Sequence, residues 1–310
     1  MSTLLILDTF NFLHRAFHAI PATLTNSDGE PINAVYGVAS MLLTIIADQQ
    51  PTYLVAAMES KEKEIIRASQ FVGYKATRPE MDSGLRNQIP KVERLFSAIG
   101  IPQLKVEGYE ADDVIGTLAT QMIKVDPTLQ VLVVSNDQDM MQLINPRVKV
   151  LSPTLGSAKK PELYDEATMI AKYGFKPRQM IDYKSLRGDP SDNIPGVFGI
   201  GEKTAKELIE QFGNLDAIYN NLGKVTKESV RTKLAENAEM AVQSKMLATI
   251  NCDLPLSEKL ADLKLPSDWK IKAIDVLKEF HFKSLVARLE GPVTASKTKV
   301  DPDSPQLGLL

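Results

Sequence analysis

The chain has 310 residues, of which 44% are hydrophobic and 24% are charged, with 17 Gly and 18 Pro. This composition is typical of a soluble globular protein and excludes a collagen-like, coiled-coil or wholly disordered chain. The 36 Lys and Arg residues against 39 Asp and Glu residues give a net charge of −3. That balance excludes a uniformly basic nucleic-acid binder, although it allows a local basic surface. The single cysteine, Cys252, excludes intrachain disulfides and cysteine-rich zinc sites.

The first residues lack the basic stretch and the A-x-A cleavage site of a secretory signal, and no run of 18 apolar residues occurs. We therefore expect a soluble protein of the cytoplasm that has no membrane partner.

Short apolar runs alternate with amphipathic segments in the first half of the chain. The pattern predicts strands at 4–7, 53–57 and 131–134, and helices at 35–48, 90–99 and 114–125. Strands of four to six apolar residues separated by helices are typical of βαβ units. They predict an α/β fold with a parallel sheet that is covered by helices on both faces.

Three further segments differ from this pattern. Residues 60–90 are polar and basic, and from about residue 166 to 290 helical patterns replace strand patterns. Residues 291–310 are rich in Pro, Ser, Thr and Lys without periodicity, which predicts a flexible tail. We therefore expect an α/β domain over 1–165, a helical domain over 166–290 and the tail.

Carboxylates follow the predicted strands. Asp8 ends the run LLILD, and Asp137 and Asp139 follow VLVVSN. The segment GYEADDV between them adds Glu110, Asp112 and Asp113 at the start of a predicted helix. Residues just beyond the carboxyl ends of parallel strands line the ligand crevice of such sheets. Each acid taken alone could be a helix cap, but six acids at one crevice need cations to offset their repulsion, and hard oxygen ligands suit Mg²⁺ or Mn²⁺.

A second acidic segment, LRGDPSDNIPGVFGIGEKTA, spans residues 186–205. Asp189 and Asp192 could reach the same crevice and hold a second metal ion. The glycine-rich turn opens a helix near Lys203, where backbone N–H groups can bind phosphate. Such a turn alone is more often a tight helix connection, but beside the acids it indicates a grip on a nucleic-acid backbone.

These motifs, together with LLILDTFNFLHRAFHAI and RASQFVGYKATRPEM, resemble the 5′ nuclease domain of bacterial DNA polymerase I and the wider flap-endonuclease family. The resemblance covers about residues 1–290. It implies a PIN-like α/β domain, a helical arch at about 60–90 and a helix–three-turn–helix DNA-binding element. It also implies hydrolysis of DNA phosphodiesters at a 5′ flap or a nicked duplex with two metal ions, in primer removal and repair.

The resemblance assigns roles to individual residues. It implies metal ligation by eight acids: Asp8, Glu110, Asp112, Asp113, Asp137, Asp139, Asp189 and Asp192. It implies catalytic contacts to the scissile phosphate from Arg67 and Lys75. It implies DNA binding by Arg15, His18, Arg78, Gly199, Gly201, Lys203 and Thr204, and a monovalent cation at the turn from Gly199 to Lys203.

One departure from the family concerns an acid expected after the second strand within a pattern V-V-F-D-A/S-K. Counting back from Lys75 places Ser60 at this position, and the adjacent Glu59 should face the other way if the strand continues. Three interpretations follow. The site tolerates the loss, Glu59 replaces the acid after a shift of one residue, or the protein binds flaps and cuts them poorly. The third is our alternative function.

The residues Gln306, Leu307, Leu309 and Leu310 of the sequence QLGLL resemble the peptide by which bacterial replication proteins bind the sliding clamp. The clamp is therefore an expected second partner besides DNA. This pentapeptide also matches by chance fairly often. A protein without a polymerase and a fragment of a polymerase both fit the sequence.

Overall fold

A six-stranded sheet forms the centre of the first half in the computed structural model, which describes residues 2–60, 65–155 and 160–291. Its strands are β1 (Thr3–Asp8), β2 (Tyr53–Ala57), β3 (Gln103–Leu104), β4 (Gln130–Val134), β5 (Val148–Ser152) and β6 (Glu162–Tyr164). Their order is β3-β2-β1-β4-β5-β6, and every neighbouring pair is parallel except β5 and β6. The chain order reverses at β1, so a ligand crevice is expected beyond the carboxyl ends of β1 and β4.

Helices cover both faces of this sheet. The helices of the first half are α1 (Thr9–Ala19), α2 (Asn33–Gln49), α3 (Ile66–Gln70), α4 (Ser83–Arg86), α5 (Ile89–Ile99), α6 (Ala111–Val125) and α7 (Glu166–Tyr173). Side chains alternate along β1: Leu4 and Ile6 pack on the face covered by α6, while Leu5 and Leu7 pack on the face covered by α1, α2 and α5. The predicted α/β fold class is therefore confirmed.

The second half is helical among the described residues. It comprises α8 (Gln179–Arg187), α9 (Glu202–Phe212), α10 (Leu215–Asn220), α11 (Glu228–Glu236), α12 (Ala238–Ala248), α13 (Trp269–Glu279) and α14 (Lys283–Glu290). Leu208 and Leu234 share a buried core with the α6 face of the sheet, whereas Val276 and Leu285 pack with the opposite face. The helical region thus contacts both layers of the sheet, and the domain boundary at 165 stays a prediction.

Among its described residues, the predicted arch contains two short helices, α3 and α4, and the start of α5, and residues 71–82 form turns and irregular segments. The predicted tail beyond Gly291, including Gln306, Leu307, Leu309 and Leu310, lies outside the described residues. No helix in the described part of the chain is long and apolar enough to cross a membrane.

Candidate metal and nucleic-acid site

The crevice is built where β1 and β4 end side by side. Asp8 is the last residue of β1 and caps α1, because its Oδ1 accepts a hydrogen bond from the Asn11 N–H at 3.1 Å. Its Oδ2 accepts a hydrogen bond of 2.6 Å from the hydroxyl of Ser135, which follows β4. Asp137 caps a short 3₁₀ helix by accepting from the Asp139 N–H at 2.8 Å. The sheet therefore brings these two acids to one edge.

Helix α6 adds further acids to the same crevice. Glu110 is its N-cap and Asp113 its third residue, and the Glu110 N–H donates to Asp113 Oδ2 at 3.3 Å. Asp112, between them in sequence, is half-buried. Carboxylates in the first turn of a helix are favoured by its dipole, so this arrangement stabilises the helix while it points acids at the crevice.

The shared negative charge and the burial of this site alter its titration. Burial, together with the nearby Asp137, raises the pKa of Asp8 to about 6. Burial also raises the pKa of Asp112 well above its ordinary value, and the neighbouring carboxylates of Asp137, Asp8 and Glu110 add to the effect. Carboxylates in this situation are stabilised by a nearby cation.

Glu59 joins the acids, and Ser60 does not. The Ser60 hydroxyl donates a 2.7 Å hydrogen bond to the Val106 carbonyl and is buried. Glu59 accepts from the Ala111 N–H, and burial raises its pKa to about 8, with Glu110 and Asp8 contributing. The prediction that Ser60 stands in the acid's place is therefore wrong. We refer to Asp8, Glu59, Glu110, Asp112 and Asp137 as the acidic crevice.

A signal for Glu59 was present in the sequence. Val55 and Ala57 of β2 face α6, and the two-residue alternation carries Glu59 to the same side. Pairing of the strand also continues past Ala57, because the Met58 N–H donates to the Leu104 carbonyl at 2.8 Å. The letters Glu-Ser-Lys at 59–61 follow the expected D-A/S-K pattern directly, so the count back from Lys75 is one residue too short.

Three basic residues of the predicted arch lie against the acids. Arg67 Nη1 is 2.6 Å from Glu110 Oε2, Lys75 also pairs with Glu110, and Arg78 Nη2 is 2.5 Å from Asp192 Oδ1. Burial alone would lower the pKa of Arg67 and Lys75, but the acids raise both. The same cations lower the pKa of Glu110 despite its burial. The structure thus brings the predicted catalytic cations to the predicted acids.

The aromatic residues of the predicted arch are packing residues here. Tyr74 is buried, and its hydroxyl donates to Glu110 Oε2 at 2.9 Å. Phe71 is half-buried and packs in a small cluster with Tyr74, Ile194 and Leu247. The interpretation that these rings pack within the protein is therefore favoured over stacking on a base.

A second acidic group surrounds a buried lysine that sequence reasoning missed. Lys184 Nζ pairs with Asp139 and lies 2.5 Å from Asp189 Oδ2. Burial would raise the pKa of Asp189, but Lys184 and hydrogen bonds from Ser191 lower it. These residues border a cavity of about 330 Å³ that is lined by Asn11, Asn136, Asp137, Gln138, Asp139, Lys184, Asp189, Ser191 and Asp192.

Asp113 is held by hydrogen bonds on both of its carboxylate oxygens. Both of its oxygens accept from Arg67, Oδ2 also accepts from the Glu110 N–H and Oδ1 from the Asn251 N–H at 2.8 Å. Four N–H donors use the acceptor capacity of this carboxylate. Asp113 therefore links the start of α6 to the arch and to the segment after α12.

Asp8, Glu59, Asp112 and Asp137 fit a divalent metal ion by donor chemistry, since they are oxygen ligands whose pKa values are raised, mainly by burial and further by neighbouring carboxylates. Among residues 2–60, 65–155 and 160–291, however, no three acids already lie close enough together to form a metal cluster. Glu110, Asp139, Asp189 and Asp192 are instead paired with lysine or arginine. Metal ligation by the eight predicted acids stays a prediction.

The glycine-rich turn lies between α8 and α9. Gly199 has a φ of 77°, which favours glycine, whereas Gly201 has a φ of −92° and open space around its Cα. Gly201 is the N-cap of α9 and has no side chain to bond the first N–H groups of that helix. Lys203 is exposed and Thr204 is half-buried on the first turn. These features leave the start of α9 accessible to an anion.

Two predicted DNA-binding residues on α1 do not join these clusters. Arg15 is half-buried, and its Nε has no hydrogen-bond partner within the described part of the chain. His18 is exposed and lies beside the rings of His14 and Phe17, at centroid distances of 6.2 and 5.3 Å. Their contacts with DNA stay predictions.

Comparison with known protein families identifies the family of this chain. Residues 3–174 match the N-terminal resolvase-like domain of 5′-3′ exonucleases, and residues 175–270 match the C-terminal SAM-fold domain of the same enzymes. The chain belongs to the 5′-3′ exonuclease family. The resemblance read from the sequence is confirmed, and this family is one of nuclease enzymes.

The chain is similar to proteins of different lengths. DNA polymerase I of Caldicellulosiruptor bescii is 42% identical over 288 residues, a match that covers 92% of this chain and 33% of the polymerase. The 5′-3′ exonuclease of Aquifex aeolicus is 35% identical over 290 residues, covering 94% of this chain and 96% of that protein. The chain thus spans about a third of the polymerase relatives and nearly all of the shorter one.

Solved structures share the fold of this chain. The T5 D15 protein co-crystallised with metal ions has a TM-score of 0.63 and 21% identity, covering 93% of this chain and 99% of that one. Human GEN1 in complex with Holliday junction DNA has a TM-score of 0.60 and 13% identity, covering 92% and 71%.

The raised carboxylate pKa values predict a pH-dependent stability for the exonuclease without metal. Asp8 and Glu59 have pKa values of about 6 and 8 when folded, against 3.8 and 4.5 ordinarily, so the folded state holds more protons between those values. Its stability therefore falls as pH rises from 5 to 8. We expect the thermal unfolding midpoint in EDTA to fall over this range, as measured by circular dichroism.

The Glu59→Gln variant is the control for this pH dependence. It should show a smaller fall between pH 5 and 8 because one of the titrating groups is removed. A midpoint that stays constant or rises over this range in the wild-type protein would contradict the assignment.

Proposed function

We propose that this exonuclease is a structure-specific 5′ nuclease that hydrolyses DNA phosphodiesters at a 5′ flap or at a nick in duplex DNA, in primer removal and repair. The observation that carries the proposal is the acidic crevice beyond β1 and β4, which faces three basic side chains of the predicted arch. Acids without cations would repel a phosphate, and cations alone would bind one without activating water. The two together suit metal-dependent phosphodiester hydrolysis.

Two groups of acids would hold the divalent ions, Mg²⁺ or Mn²⁺. The acidic crevice would hold one ion, and Asp139, Asp189 and Asp192 around the 330 Å³ cavity would hold the other, with Asp137 lying between the groups. When bound, such ions supply a water of lowered pKa and neutralise charge on the leaving oxygen.

The residues of the arch would position the substrate. Lys75 and Arg78 now neutralise Glu110 and Asp192, and each could exchange its carboxylate for a phosphate oxygen of the scissile strand. Lys75 has a φ of 54°, and its N–H donates to the Asp192 carbonyl at 2.9 Å. That bond connects the arch to the second acidic group, so movement of the arch would change the counter-ions of both groups.

The start of α9 would bind the duplex. Its N–H groups, with Lys203 and Thr204 on the first turn, can hold a backbone phosphate, and a monovalent cation at the turn from Gly199 to Lys203 would share that phosphate. Contacts of this kind fix the position of the duplex without reading its sequence.

The alternative of a flap-binding protein with weakened nuclease activity rested on Ser60. Because Glu59 supplies the carboxylate to the crevice, the observation behind that alternative is removed. We therefore favour an active nuclease.

A cleavage assay tests the proposal. We expect the purified chain to cut a 5′-flap duplex in Mg²⁺ or Mn²⁺, and to leave it intact in EDTA. Asp137→Asn should slow cleavage about 100-fold or more, because it removes a charge shared by both acidic groups. The matched control is Asp48→Asn, an exposed acid on α2 outside the site. Cleavage that is insensitive to EDTA would contradict the proposal.

Two further hypotheses rest on the sequence alone. Gln306, Leu307, Leu309 and Leu310 would bind a sliding clamp and raise the local concentration of the nuclease at replicating DNA. A cytoplasmic location would follow from the DNA substrate.

A further inference from the structure

Phe198 is an apolar residue in an unusual position. Its side chain is 83% exposed, although it lies in the glycine-rich turn between α8 and α9. Its apolar neighbours in the turn are buried, since Val197 is 1% exposed and Ile200 is 3% exposed. An exposed aromatic ring between two buried anchors is available for contact with another molecule.

The turn holds this ring outward in a defined conformation. The Val197 N–H donates to the Leu186 carbonyl at 2.9 Å, and the Ile200 N–H donates to the Val197 carbonyl at 3.0 Å. Gly196 packs closely on Gly188, since a Cβ added to Gly196 would lie 2.2 Å from the backbone nitrogen of Gly188. The backbone under Phe198 is therefore fixed on both sides.

Basic residues adjoin the turn that carries the ring. Lys233 Nζ donates to the Gly199 carbonyl at 3.1 Å, directly beside the ring in sequence. Lys203 is exposed on the first turn of α9. The acid of that turn, Glu202, is paired with Lys206 at 2.7 Å. An aromatic ring among lysines and free helix N–H groups complements a nucleic-acid backbone, whose phosphates are anionic and whose sugars are apolar.

We propose that Phe198 packs its ring against a deoxyribose of the duplex strand whose phosphate is bound at the start of α9, and that it contributes affinity for duplex DNA. The inference rests on the proposed function and adds an apolar contact to a grip that is otherwise electrostatic. Lysines and helix N–H groups hold the phosphate, and the ring covers the adjacent sugar.

Binding measurements distinguish this contact from the phosphate contacts. Fluorescence anisotropy of a labelled 5′-flap duplex in EDTA, at several salt concentrations, gives the affinity and its salt dependence without cleavage. Phe198→Ala should weaken binding about five- to tenfold and leave the salt slope unchanged, because an apolar contact releases no counterions. Lys203→Ala should weaken binding and reduce the slope by about one.

Matched variants make the result specific. Val242→Ala removes another exposed apolar side chain, 62% exposed on α12, and should not alter DNA affinity. Phe198→Lys should recover affinity and steepen the salt slope by about one, because it adds a phosphate contact. Phe198→Ala should unfold at the same temperature as wild type, since its ring is exposed.

The outcomes separate the inference from the proposed function. If Lys203→Ala weakens binding and Phe198→Ala does not, the phosphate grip stands and the ring contact is refuted. If Phe198→Ala weakens binding to single-stranded DNA as much as binding to the duplex, the ring contacts an unpaired base and the inference is wrong. A lower unfolding temperature for Phe198→Ala would show that the ring supports the turn and overturn the inference. If the wild-type protein shows no affinity for flap duplex, the proposed function itself fails.

Discussion

Glu59→Gln is expected to reduce flap cleavage about 100-fold or more, whereas Ser60→Ala should leave the rate within about twofold. Glu59 contributes a carboxylate to the acidic crevice, close to Glu110 and Asp8. Ser60 donates to a backbone carbonyl outside that crevice. Gln has nearly the same shape as Glu but carries no charge, so the substitution isolates the loss of a negative ligand.

The measurement is the single-turnover rate of 5′-flap cleavage at several Mg²⁺ concentrations. Glu59→Gln should also require more Mg²⁺ for half-maximal rate, because one anionic ligand is missing. Ser60→Asp tests the opposite assignment: it places a carboxylate beside the Val106 carbonyl and should destabilise the protein without raising activity. A faster rate for Ser60→Asp, with an unaffected Glu59→Gln, would return the acid's position to residue 60.

Arg67→Met is expected to lower the free energy of unfolding by about 3–5 kcal/mol. The Arg67 side chain is only 12% exposed and pairs with Glu110 and Asp113, and it also donates to the Thr249 carbonyl at 2.7 Å. Met keeps the length of the side chain but leaves two buried carboxylates without this partner. Urea unfolding in EDTA, followed by circular dichroism, gives the free energy directly.

Two further variants serve as controls for Arg67→Met. Lys91→Met breaks the more exposed pair with Glu30 and should cost less than about 1 kcal/mol. The double substitution Arg67→Met with Asp113→Asn should recover part of the loss, because one of the stranded charges is then removed. Equal stability of Arg67→Met and wild type would mean that the pairs with Glu110 and Asp113 do not stabilise the fold.

The general position of the site could be predicted from the sequence. LLILD and VLVVSND are apolar strands that end in acids, and parallel strands bring their carboxyl ends to one edge. Asp8 and Asp137 therefore lie where the pattern predicts. The start of a helix at GYEADD could also be predicted, because acids at an N-terminus before an apolar run are typical of a capped helix.

The spacing of residues in the sequence does not determine which acids line the acidic crevice. Counting back from Lys75 assumes a fixed length for the arch, but loops vary in length between relatives. Alternation counted from Ser60 predicts that Glu59 faces away from the site, whereas alternation counted from Val55 and Ala57 continues through Met58 and places Glu59 beside α6.

Two other residues show why chemistry could not be read from residue type alone. Asp113 matches the acids of the motif, but its position as the third residue of α6 commits its oxygens to N–H donors. Lys184 reads as an ordinary helix lysine, and only the packing of α8 shows that it is buried between Asp139 and Asp189. A helix pattern does not show which polar residues face a neighbouring element.

The strand order of the sheet has a consequence for synthesis of the chain. β1 pairs with β2 on one side and with β4 on the other, and β4 begins at Gln130. During translation, the edge of β1 that pairs with β4 therefore stays without its hydrogen-bonding partner for several seconds after β2 has emerged. In that interval an unpaired edge strand can associate with other chains, so the yield of native protein should depend on translation rate and on chaperones that cover such edges.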